Sequence, residues 1–233
     1  MTMRALVVVL SVIAIGAIVY AFNLRQQLDA QRMASVPQTD NPPSVLASAQ
    51  TDPDIIHDPS LIPAGNYVVD PNHSALYGSI RHAGLSHFVF RFGRFDARFA
   101  FDPKTLESPH LEVVVDPSSI DTNVPGFDTN MATSERHFNS SSYPEIRFVS
   151  DRLRRTGPDT GVLEGEMTFL GVTKPFDMNV TFLGASQGRR GATIGLSATG
   201  TLRRDDFGFA TGSDNLAEVA EIQVEADFQQ QVD

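Results

Sequence analysis

The chain has 233 residues with 18 basic and 28 acidic side chains, a formal charge of −10, 41% hydrophobic residues, no cysteine and no tryptophan. This acidic balance argues against a nucleic-acid partner, whose phosphates it would repel. The absence of cysteine excludes disulfides, thiolate metal sites, a cysteine nucleophile and a cysteine-linked lipid anchor.

Residues 5–22 form an apolar run of 18 residues, preceded by Arg4 and interrupted only by Ser11 and Gly16. As a helix this run spans about 27 Å at 1.5 Å per residue, close to the ~30 Å hydrocarbon core of a bilayer. A cleavable signal usually has a shorter apolar stretch of about 7–15 residues. Residues 1–23 are therefore expected to be an uncleaved transmembrane anchor with Arg4 inside, and the rest of the chain to be exported to the periplasm. Cleavage near Val19-Tyr-Ala21 is the alternative. Residues 24–64 are rich in Gln, Ser, Asp and Pro and are expected to form a flexible linker, since such a stretch cannot bury enough apolar surface to fold alone.

From residue 65 to 233 the pattern is all-β. Expected strands cover 66–69 and 75–82 around the turn Asp70-Pro-Asn-His73, followed by 88–101, 111–116, 145–150, 161–170, 175–183, 192–202 and 218–228. The run 88–101 is the most telling. Phe88, Phe90 and Phe92 alternate, and after Gly93 the alternation resumes one residue out of step at Phe95, Ala97, Phe99 and Phe101. A slip of one residue turns the apolar face outward unless an extra residue is absorbed. A bulge at Gly93-Arg94 absorbs it and bends the strand. The result is one curved strand of about 46 Å contour at ~3.3 Å per residue, suited to a deep barrel. In 218–228, Ala220, Ile222, Val224, Ala226 and Phe228 face one side, with Glu221, Gln223, Glu225 and Asp227 on the other. Between the strands, Phe127, Met131, Ser134 and Phe138 share a helical face, with Asp128 as the expected N-cap. One or two short helices are predicted there, placed to close one end of a barrel.

Signals for chemistry are sparse. The six histidines show no metal-binding spacing. Gly84-Leu-Ser-His87 does not match a nucleophile elbow. Asp205-Asp206 sits in the cluster Arg203-Arg-Asp-Asp-Phe-Gly208, read as mutual neutralisation, and Gly188-Arg-Arg-Gly191 reads as a hairpin loop. No enzymatic activity, metal or covalent cofactor is expected.

A series of motifs in matching order carries a family resemblance. Tyr67-Val-Val-Asp-Pro-Asn-His-Ser74, His82-Ala-Gly-Leu85, Phe92-Gly-Arg-Phe95 and Asp116-Pro-Ser-Ser-Ile-Asp-Thr122 come first. The stretch from Phe127-Asp128 through Met131, Ser134 and Phe138 to Tyr143-Pro144 follows, then Gly165-Glu-Met-Thr-Phe-Leu-Gly-Val-Thr-Lys-Pro175 and Arg204-Asp-Asp-Phe-Gly208. Together, over about residues 65–230, they resemble the YceI-like, polyisoprenoid-binding family. The lid departs from that pattern: Phe127 stands where an arginine usually precedes the Asp.

The resemblance implies an antiparallel, eight-stranded, lipocalin-like barrel with a short helical insertion and an elongated internal tunnel. The implied ligand is a polyisoprenoid, or a quinone with an isoprenoid tail. Candidate tail-binding residues are Phe88, Phe90, Phe99, Phe101, Met167, Phe169, Phe182, Ile194 and Ile222. Candidate head-group residues are His73, Arg94, Asp128 and Arg204. Two other classes stand beside this one: a ligand-free structural or stress-related interaction module with a closed core, tethered at the membrane, and a hydrolase or isomerase using His73 or Ser74.

Overall fold

The computed structural model describes residues 55–124, 126–209 and 215–232. The expected membrane anchor and most of the expected linker lie outside the described residues. Among the described residues, no helix is long and apolar enough to cross a membrane.

The strands are β1 (Ile55–Ile56), β2 (Gly65–Val69), β3 (Ala75–His82), β4 (Ser86–Phe92), β5 (Phe95–Phe101), β6 (His110–Val115), β7 (Ile120–Asp121), β8 (Ile146–Arg155), β9 (Thr160–Phe169), β10 (Val172–Gly188), β11 (Gly191–Arg203) and β12 (Leu216–Gln230). One α-helix, α1 (Phe127–Thr133), lies between β7 and β8. Three strand paths are broken in the middle. β2 and β3 follow one another along the same edge of β12, with Val69 opposite Phe228 and Ala75 opposite Glu225. β4 pairs with β3 while β5 pairs with β2. β6 pairs with β5 while the short β7 pairs with β4. Each broken pair acts as one bent strand, so with β8–β12 the molecule has eight strand paths. β11 pairs with both β10 and β12 and closes the ring. All pairings are antiparallel, and closure removes the free edges that an open sheet exposes.

The bends are cross-linked at one level. The Gly93 amide donates to the Ser119 carbonyl at 3.0 Å and the Asp116 amide to the Arg94 carbonyl at 3.1 Å. Beside them, the Asp70 amide reaches the Asp227 carbonyl at 2.7 Å, and Ser74 Oγ accepts from the Asp227 amide at 3.1 Å. The predicted slip is here: Phe92 stands opposite Leu76 and Phe95 opposite Val115, so both halves of the Phe run keep their rings inward. The chain passes through the bend as two strands with different partners rather than as one continuous strand.

Tight hairpins use left-handed residues. Ala83-Gly84 (φ 49° and 72°) lies in the three-residue loop from β3 to β4, and Leu170-Gly171 (φ 50° and 75°) joins β9 to β10 as a two-residue turn. β10 starts earlier than expected. Pro175 is accommodated because β10 pairs at that point with β9 alone, so its missing N–H leaves no partner wanting. Part of the stretch expected as linker lies on the barrel. β1 pairs with Ala185 and Ser186 of β10, and Ile62 is almost wholly buried.

The insertion holds one α-helix, and its cap differs from expectation. Gly126 at φ 79° precedes α1 with no side-chain cap. Asp128 lies in the first turn and accepts from the Thr122 amide (2.8 Å) and Thr122 Oγ1 (2.6 Å). It ties the helix to the end of β7 instead of capping it. After α1 the chain folds back, with the Phe138 amide donating to Met131 and the Ser140 amide to Ala132.

Candidate functional site: two apolar cavities in the barrel

The inward positions of the strands do not meet everywhere along the barrel. A first cavity of ≈ 200 Å³ lies at the end that carries α1. Its wall comes from the strand halves beyond the bends, including Phe88, Phe90 and Phe92 of β4, and from Met167, Phe169 and Ile222 on the opposite side. Phe127 and Met131 of α1 complete it together with Phe138, which lies beyond the helix end at Thr133 and is brought in by the fold-back rather than by the expected helical face. The rings form a connected set. Phe88 stands edge-on to Phe127 (6.0 Å between centroids), Phe92 to Phe138 (5.5 Å) and Phe138 to Phe209 (5.5 Å). Such geometry suits the ring quadrupoles and stiffens the wall.

Among the described residues lining this cavity, His137 and Arg204 alone carry side-chain nitrogen or oxygen. Arg204 is 5% exposed. Its Nε donates to the Ala217 carbonyl (3.1 Å) and its Nη2 to the Leu216 carbonyl (3.3 Å), which fastens the turn 204–207 to the start of β12. Its guanidinium lies 5.3 Å from the centre of the Phe209 ring, and the His137 ring lies 5.8 Å from the same ring. His137 Nδ1 is buried with no hydrogen-bonding partner among the described residues.

A second cavity of ≈ 100 Å³ lies at the other end. Phe99, Phe101, Phe182 and Ile194 line it, and Pro59 and Ile62, from the segment before β2, cover it. The two cavities share no lining residue. The candidate tail-binding residues therefore fall into two groups rather than one tunnel: Phe88, Phe90, Met167, Phe169 and Ile222 around the first, Phe99, Phe101, Phe182 and Ile194 around the second. On the wall of the first cavity Phe148 and Phe176, from the strands on either side of β9, meet edge-on at 6.1 Å. Small residues admit these rings. A Cβ on Gly165 would lie 2.7 Å from Phe148 Cε2, and one on Gly200 would lie 2.7 Å from Phe176 Cζ. Where the resemblance implies one elongated tunnel, the structure has two cavities with separate linings.

Of the four candidate head-group residues, the structure brings Arg204 alone to a cavity wall. His73 is exposed in the turn after β2, with Nδ1 2.9 Å from Asp70 Oδ2. That contact raises the His73 pKa and lowers that of Asp70. Arg94 lies on the outer surface and donates through Nε (2.9 Å) and Nη2 (2.7 Å) to Asp116 and through Nη2 to Ser118 (2.9 Å). Asp128 is occupied by Thr122. Sequence reasoning passed over Phe148, Phe176, Phe209 and His137. Phe148 and Phe176 were visible as apolar positions in predicted strands, whereas His137 sits in a turn where no periodicity assigns a side.

Residues 67–230 match the YceI-like domain, and the chain belongs to the YceI-like family. A UPF0312 protein of Photorhabdus laumondii is 32% identical over 149 residues, covering 63% of this chain and 77% of its own. A UPF0312 protein of Vibrio cholerae is 30% identical over 157 residues, covering 66% and 82%. Among solved structures, the Campylobacter jejuni YCEI protein superposes with a TM-score of 0.59 at 25% identity, over 66% of this chain and 91% of that one. Burkholderia cenocepacia BcnA gives 0.60 at 20% identity, over 68% and 98%. A polyisoprenoid binding domain from Saccharophagus degradans gives 0.54 at 11% identity, over 72% and 99%. The last two likenesses are of fold.

Proposed function

We propose that this barrel binds an isoprenoid-tailed lipid, a polyisoprenoid or a quinone with an isoprenoid tail, by burying the tail in the first cavity. In this reading it is a binding protein rather than an enzyme. It holds or passes on its ligand in the periplasm, tethered by residues 5–22. The observation that carries the reading is the empty apolar space of ≈ 200 Å³ walled by phenylalanine rings. Wall atoms facing an unfilled apolar space of ≈ 200 Å³ forgo the dispersion contacts that a filled interior makes. A ligand recovers part of that, and each tail methylene adds ~0.8 kcal/mol on leaving water. Longer tails need the side chains between the two cavities to move aside. The polyisoprenoid binding of the Saccharophagus domain, which shares the fold, supports the same class of ligand.

The separate linings of the two cavities favour the second reading, a ligand-free interaction module with a closed core. Thermal unfolding of the full chain separates the two. A ligand bound only by the folded state at 100 times its Kd stabilises by about 2.7 kcal/mol, so prenylated compounds should raise Tm with concentration. No shift with any isoprenoid would leave the interaction module standing.

A further inference from the structure

A buried polar atom facing apolar surroundings is unfavourable unless something pairs with it. His137 Nδ1 is such an atom: its ring lines the first cavity at the lid end, with Nδ1 itself closed off, so a turn of the ring is needed to present it to the cavity. Nothing in the fold requires a histidine there: the neighbouring turn is held by backbone bonds, including one from the His137 amide to the Ser134 carbonyl. We propose that His137 anchors the polar end of the ligand through an uncharged oxygen, with the head under the lid beside Phe209 and the tail directed toward Phe148 and Phe176. This deepens the carrier reading and rests on it.

The chemistry of the wall selects the kind of head. A neutral imidazole donates from Nδ1–H to a carbonyl in one tautomer and accepts from a hydroxyl at bare Nδ1 in the other. Either a quinone carbonyl or a prenol hydroxyl therefore satisfies it. Arg204, which packs against the same Phe209 ring, already donates Nε and Nη2 to carbonyls of β12, so it supplies a positive field rather than a swivelling clamp. A diphosphate would bring two or more negative charges into a wall that offers, among the described residues, one arginine and one histidine. The desolvation of those charges would go largely uncompensated.

The test uses the full chain, wild type, His137→Leu and His137→Gln, titrated with three fifteen-carbon probes: farnesol, farnesene and farnesyl diphosphate. Removal of one hydrogen bond should weaken farnesol about tenfold in His137→Leu and leave farnesene within about twofold. His137→Gln, which keeps a polar partner, should retain most of the farnesol affinity, and the diphosphate should bind wild type more weakly than the alcohol. The histidine ring resonances should move on adding farnesol and not on adding farnesene, which reads the contact directly even where a variant is unstable. An equal effect of His137→Leu on alcohol and hydrocarbon, or none on either, would overturn the anchor while leaving the carrier reading intact, as would tightest binding of the diphosphate. Failure of wild type to bind any of the three would remove the carrier reading and the anchor together.

Discussion

Phe148 of β8 and Phe176 of β10 meet edge-on over Gly165 of the intervening strand β9, 6.1 Å between ring centres at an interplanar angle of 82°. Both rings line the cavity of ≈ 200 Å³ and neither lines the one of ≈ 100 Å³. They set how much room the first cavity has on that wall. Replacing Phe148 by Ala should cost about 3 kcal/mol, the low end for Phe→Ala because one side of the ring already faces empty space. The same change should favour longer isoprenoid chains over short ones. Urea unfolding and titration with fifteen- and thirty-carbon prenols check the two halves of this expectation.

Two glycines separate packing of the wall from capacity of the cavity. A Cβ on Gly165 would lie 2.5 Å from the Val149 carbonyl oxygen, a backbone atom that cannot retreat. Gly165→Ala should therefore destabilise the barrel by about 2 kcal/mol or more. A Cβ on Gly78 would lie 2.4 Å from Phe90 Cζ, the far end of a side chain that borders the first cavity. Gly78→Ala should push that ring into the cavity, lowering affinity for isoprenoids with a smaller loss of stability. Comparing Tm with ligand affinity for the two variants tests the distinction.

The bend is held by Arg94 and Asp116. Burial pushes the Asp116 carboxyl up, but its hydrogen bonds with Ser118 and Arg94 outweigh this and keep its pKa below 3.8. A group whose folded pKa is depressed stabilises above its unfolded pKa and loses that contribution as pH falls through the folded value. Asp116→Asn should therefore lower stability at neutral pH, and the gap to wild type should close below about pH 4. With both side chains more than a third exposed, the effect should stay within about 1 kcal/mol. Denaturant titrations at pH 7 and pH 3 measure it.

Arg204 joins the turn after β11 to the start of β12 from a buried position. Arg204→Met should leave the Leu216 and Ala217 carbonyls short of donors and cost about 2–4 kcal/mol. Faster amide exchange at the start of β12 would locate the loss there.

Much of this fold was legible in the chain because alternation is a strict signal. The slip at Gly93 placed the bend, Phe127 and Met131 placed the lid helix although Phe138 lies beyond its end at Thr133, and the run Ala220–Phe228 gave the inward side of β12. The division of the interior was not legible. It depends on how inward side chains pack against one another, and alternation says that Phe148 and Phe176 point inward without saying that they touch. The polar candidates failed for a related reason. His73, Arg94 and Asp128 sit in or beside turns, where period two no longer fixes a side, and their partners Asp70, Asp116 and Thr122 occupy them. Arg204 lies in the four-residue 3₁₀ turn Arg204–Phe207 and happens to turn inward. The length of β10 was underestimated because Pro175 reads as a strand start when only one of its edges is paired there.

The claim on which the account turns is that the space behind Phe88, Phe90 and Phe169 holds lipid. Native mass spectrometry of the full chain, released from mild detergent, tests it most directly. The account predicts an adduct whose fragments are those of an isoprenoid chain, present in wild type and depleted in Gly78→Ala. A wild-type spectrum with the bare polypeptide mass alone, from protein never exposed to delipidating conditions, would contradict it.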